Sequence, residues 1–206
     1  MDNNFFEETL QEIDLKEQCE KRSYKVKPGS SSNAAAMVAA LEAAHWPVGD
    51  MAPAGENPVD ALTRFIMTDP VTLNRWRQLD PGGRRAPFEW DEVLAFGTNR
   101  FLRNFGIDHS PVTFYGAVSR KEIDAALDAG GAAVVSGIIP PFEAPKTPVE
   151  HAVAVTGREA DSGYAVVDPW RDSGGSVRLT LADFNAFISP ITLGKKRAHI
   201  IKTLDQ

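Results

Sequence analysis

Two short runs decide the fold: His151-Ala-Val-Ala-Val-Thr-Gly157 and Gly163-Tyr-Ala-Val-Val-Asp-Pro-Trp170. Each alternates with a period of two, the pattern of a strand whose successive side chains point to opposite faces. His151, Val153 and Val155 fall on one face of the first run, and Tyr164, Val166 and Asp168 on one face of the second. The connection from Arg158 to Ser162 is charged and leads into Gly163. A tight turn there pairs the runs as an antiparallel hairpin and sets residue 151 opposite roughly 168. A histidine at the start of one strand then meets an aspartate at the end of the next. A carboxylate that holds an imidazole in one tautomer is half of a nucleophilic triad.

Working outward, the chain divides by periodicity. Residues 1–20 read as an acidic amphipathic helix or an N-terminal arm, with Phe6, Leu10 and Ile13 at helical spacing. The loop from Lys25 to Ser32 runs into the strongest helical stretch, Asn33 to His45, which is made of small, good helix formers. Further helices are expected over Pro58–Met67, from Thr68 or Asp69 to Leu79, and over Glu89–Phe105. The apolar stripe of the last is Val93, Leu94, Phe96, Phe101, Leu102 and Phe105. Beyond Gly106 strands dominate: Val112–Tyr115, Ala132–Ile139, the hairpin, Val177–Leu179 and Ala198–Ile201. Two helices interrupt them, Arg120–Asp128 behind a Ser119-x-x-Glu122 capping box, and one that begins after Thr180. The expectation is one α+β domain over 1–206. It comprises an N-terminal arm (1–24), a helical lobe (25–110) and an antiparallel sheet lobe (111–206).

Composition narrows the functional classes. With 206 residues, 43% hydrophobic and 24% charged, the chain can build a real core. A net charge of −6 disfavours a nucleic-acid partner. No apolar run is long enough for a membrane span. The acidic start lacks the order of a signal peptide, which leaves localisation open between the cytoplasm and export after processing. A single cysteine, Cys19, rules out an internal disulfide framework or a thiolate metal cluster. His45, His109, His151 and His199 have no metal-ligand spacing, so neither a metal nor a cofactor is expected.

The chain resembles the papain-like cysteine peptidases, and more closely their bacteriocin-processing, double-glycine-peptidase-like branch. The resembling segments are Ala129-Gly-Gly-Ala-Ala-Val-Val-Ser136, Glu150-His-Ala-Val-Ala-Val-Thr-Gly157 and Ala165-Val-Val-Asp-Pro169, with Ala36-Met37 anchoring the helix. The resemblance runs from about Gln18 to the C-terminus. It implies a papain-like two-lobed fold and a nucleophile–His–Asp triad acting on peptide or amide bonds. His151 would be the base and Asp168 its orienter. Gln18 stands where the family carries a glutamine that donates to the oxyanion.

The departure lies at the nucleophile. Registering Ala36-Met37 on the family pattern puts the catalytic cysteine at Ser30, and a shift of register moves it to Ser31 or Ser32. Cys19 lies too far upstream in any register. The chain thus reads as an inactive Cys→Ser form, engineered or natural. The expected partner is a peptide, protein or peptidoglycan substrate, in a groove where the helix start faces the hairpin. Two alternatives share the scaffold: a non-catalytic peptide- or protein-binding pseudoenzyme, and an acyl transferase.

Overall fold

The computed structural model describes residues 32–139, 149–159, 163–169, 176–188 and 197–204. Its elements, in chain order, are α1 (Ser32–Ala43), α2 (Val48–Met51), α3 (Pro58–Thr68), α4 (Pro70–Leu79), a 3-10 turn (Pro87–Glu89), α5 (Asp91–Arg103), β1 (Val112–Tyr115), α6 (Arg120–Asp128), β2 (Ala132–Ile139), β3 (Val149–Glu159), β4 (Gly163–Val167), β5 (Ser176–Thr180), α7 (Leu181–Ile188) and β6 (Ala198–Ile201). The strands form one antiparallel sheet in the order β1-β6-β2-β3-β4-β5. The protein is therefore α+β, with its helices concentrated ahead of the sheet.

Alternation along β2 and β3 gives the sheet two buried faces. Ala132, Val134, Ala152 and Ala154 join the core built with α1 and the other N-terminal helices. Ala133, Val135, Val153 and Val155 join a second core with Ile123 of α6 and Phe184, Phe187 and Ile188 of α7. Alanines on the first face leave room for α1, which is apolar on every side and buried from Ala34 to Leu41. A helix of that composition has no solvent face, so packing against the sheet carries its stability.

The helix boundaries follow local chemistry. Asn57 and Asp69 cap α3 and α4, each with proline in the first turn. The Asp69 carboxylate also takes a two-pronged ion pair from Arg100 of α5 at 2.7 and 2.9 Å. The Ser119–Glu122 capping box forms as expected. α1 closes in a Schellman motif: Trp46 N–H donates to Leu41 C=O and His45 N–H to Glu42 C=O, with His45 in the left-handed region (φ 67°).

Several expectations need correction. The single helix expected over Glu89–Phe105 is a 3-10 turn followed by α5, because the Trp90 backbone is extended between them. Phe96 and Phe105 do not belong to the buried stripe. They are 36% and 48% exposed. Gly97 takes the inward position beside Phe96, under Ile66 and Thr72. Phe105 follows the end of α5 and packs edge-on against Phe101. The connection after Trp46 contains the short helix α2. The hairpin register also differs: Ala154 faces Val167, and a shift in pairing between Val155 and Gly157 marks a bulge. Extending that register sets Asp168 beside Val153, so His151 and Asp168 meet diagonally rather than directly opposite.

Candidate functional site

His151 lies near the start of β3, paired with Gly137 on β2. Its Nε2 and Asp168 Oδ1 are 2.6 Å apart, and the two residues are 3% and 2% exposed. A carboxylate can only accept, so the imidazole donates Nε2–H to it. In the neutral ring Nδ1 then holds the lone pair, and Nδ1 is the nitrogen that would take up a proton. Asp168 thus sets the tautomer, as the alternating runs suggested. The glycine opposite His151 has its own reason. A Cβ on Gly137 would lie 2.5 Å from the Phe187 carbonyl oxygen and 2.7 Å from its ring. Only glycine lets α7 seat so closely against the sheet beside the histidine.

A cavity of about 160 Å³ opens where α1 begins, bordered by Ser32 and Asn33. Arg85, Glu89 and Asp91 form its wall on the side of the N-terminal helices. Ser136, Glu150 and His151 form the sheet side, and Arg197 stands between the two. Arg197 ion-pairs with Asp91 at 3.0 Å and also with Glu150, tying the start of α5 to the residue before His151. Glu89 belongs to no ion pair among the described residues, and its Oε2 accepts the Ala86 N–H at 3.1 Å. Burial raises its carboxyl above the usual range, against the opposing pull of the Ala86 N–H and the Arg85 charge.

The helix start and the histidine strand therefore border one cavity, where the groove was expected. Ser32, the last of the three serine registers, lines it. Gln18, Ser30, Ser31 and Cys19 lie outside the described residues. The remaining histidines stand apart. His45 closes α1, and the His109 ring packs 5.3 Å from Trp46. His199 is buried on β6, donates Nε2–H to the Asp91 carbonyl at 2.9 Å and packs on Phe114. No group of acidic residues, histidines or cysteines with metal-binding geometry occurs among the described residues. No helix among them is long and apolar enough to cross a membrane.

The sequence reading assigned no role to Glu89, Ser136 or Arg197. β6 inserts between β1 and β2, so Arg197 reaches the cavity only through the topology. Ser136 did carry a local signal, as the one hydroxyl in the apolar run Ala132-Ala-Val-Val-Ser-Gly-Ile-Ile139. Neither a protein-family model nor a curated protein sequence matches the chain.

Proposed function

We propose that the protein is a cysteine-peptidase-like hydrolase scaffold for peptide or amide bonds, papain-like in its two-lobed plan, with serine at the nucleophile position. The observation that supports this best is the buried His151–Asp168 pair beside a cavity that also takes in the start of α1. In the reaction this reading implies, the nucleophile ahead of or at the first turn of α1 gives its proton to His151 Nδ1 and attacks the carbonyl carbon. The C–N bond breaks, the amine leaves with the proton from His151, and water hydrolyses the acyl intermediate. Asp168 holds the ring throughout. By the resemblance the nucleophile position is Ser30, and Gln18 donates to the oxyanion. Helix dipoles favour a developing anion at the same end of α1.

Serine in place of cysteine favours a second reading, a pseudoenzyme that binds peptides in the groove. A serine hydroxyl ionises far less readily than a thiol, and no preformed thiolate–imidazolium pair is available to it.

Restoring the thiol separates the two. In a Cys19→Ser background, cysteine is introduced singly at 30, 31 and 32, and alkylation by iodoacetamide is timed at neutral pH. Rapid alkylation at one position that drops at least tenfold with His151→Ala supports the hydrolase reading. Rates equal to a free thiol at all three positions sink it and leave the binder.

A further inference from the structure

The cavity beside His151 carries a charge pattern that the hydrolase reading does not use. Arg197 is held by two carboxylates, Asp91 and Glu150. Glu89 is the remaining carboxylate on the wall. It is half-buried, belongs to no ion pair among the described residues and keeps only a backbone N–H as partner among them. Arg85 borders the same space and lowers the Glu89 carboxyl through its charge, but no ion pair joins them. Facing this wall, Ser136 is 7% exposed and Ser32 8% exposed. Neither hydroxyl has a hydrogen-bond partner among the described residues, and neither is one of their sealed unsatisfied atoms, so both are open to the cavity. Both residues line the cavity. Its volume is many times the ~10–15 Å³ that one water needs. A partly desolvated carboxylate that shares a cavity with two unpartnered hydroxyls is suited to a group that carries several N–H donors and a positive charge.

We propose that this cavity is a subsite for a primary ammonium group of a peptide, with Glu89 as its counter-ion and the Ser136 and Ser32 hydroxyls as acceptors. Its role in substrate selection rests on the hydrolase reading, whereas the binding itself does not. The ammonium comes from a lysine side chain or a free amino terminus, and two probes tell these apart. Glu89→Gln is the informative variant, because its side-chain oxygen still accepts the Ala86 N–H and preserves the turn.

The full chain is titrated with N-acetyl-lysine amide, with the uncharged N-acetyl-norleucine amide, which has the same four-carbon stem without the ammonium, and with glycinamide, followed by the amide resonances of residues 136, 151 and 89. The proposal expects one of the two ammonium probes to bind at least tenfold more tightly than norleucine amide, with shifts at 136 and 151. Glu89→Gln should abolish that preference and Ser136→Ala should weaken it severalfold. Preference for N-acetyl-lysine amide assigns the side chain, and preference for glycinamide assigns the terminus. Equal binding of charged and uncharged probes, or a preference that survives Glu89→Gln, overturns the proposal. If lysine discrimination persists while none of the restored thiols shows His151-dependent alkylation, the hydrolase reading fails and the ammonium subsite stands.

Discussion

His151 Nε2–H donates to Asp168 Oδ1 across 2.6 Å inside the protein, and neither side chain is exposed by more than a few per cent. A buried pair of this kind penalises the loss of one member more than the loss of both, because the survivor keeps its desolvation cost. Asp168→Ala should lower unfolding free energy by about 3–5 kcal/mol. Asp168→Asn keeps shape and an accepting oxygen and should lose only about 1–2 kcal/mol. Urea unfolding of the two variants reads the difference, and equal losses would refute this account of the pair.

Gly137 tests the fit of α7 beside that histidine. Gly137→Ala places a methyl 2.5 Å from the Phe187 carbonyl, which is backbone and cannot swing aside. Overpacking of this kind costs about 1–3 kcal/mol. Gly157→Ala is the control: its Cβ would meet only the Ala165 methyl, at 3.5 Å. Thermal melts should separate the two clearly, with the control close to the parent protein.

A stabilising change is available at the end of α1. His45 is exposed and holds a left-handed conformation that glycine adopts without a Cβ penalty. His45→Gly should raise stability by about 1 kcal/mol, net of the entropy glycine adds to the unfolded chain. A lower melting temperature for this variant would contradict the Schellman assignment.

Acid should weaken the fold in two stages. Burial lowers the His199 pKa below the ordinary 6.5, so the unfolded chain takes up that proton first. Stability from this group is full above about pH 6.5 and falls as the pH drops below it, with a slope of at most about 1.4 kcal/mol per pH unit. Asp69 acts lower. Its hydrogen bonds from Arg100 and Thr72 hold its carboxyl at about 2, below the ordinary 3.8. Its contribution is present above 3.8 and disappears between there and about 2. After allowance for the partly solvated Arg100 it is on the order of 1 kcal/mol. Denaturant midpoints across pH 2–8 should lose the upper stage in His199→Gln and the lower one in Asp69→Asn.

Much of this architecture was legible because its signals are local. The period-two runs marked β3 and β4, the continuous apolar run Ala132–Ile139 marked β2, and the Ser119–Glu122 box and the proline-led starts marked helix positions. The hairpin alone suggested that His151 and Asp168 meet. What escaped depends on the third dimension. The pairing shift between Val155 and Gly157 alters the register without a mark in the alternation. Phe96 is strongly apolar, and only the approach of α3 and α4, through Ile66 and Thr72, puts Gly97 inward in its place. Glu89, Ser136 and Arg197 lie far apart in sequence and share a cavity only because β6 inserts beside β2 and the turn before α5 folds toward β3.

β3 belongs to both cores, with Ala152 and Ala154 in one and Val153 and Val155 in the other. β3 pairs with β2 from Val149 to Val155 and with β4 from Ala154 onward, and a segment so paired and covered on both faces does not expose its amides by local fraying. Its interior N–H groups, from 152 to 155, should exchange with deuterium only when the whole molecule opens, and so should report the global unfolding free energy. His151 is the neighbour of that slowest-exchanging segment. The histidine is thereby anchored to the part of the chain that opens last, and its placement should persist through motions that let the surrounding loops exchange freely.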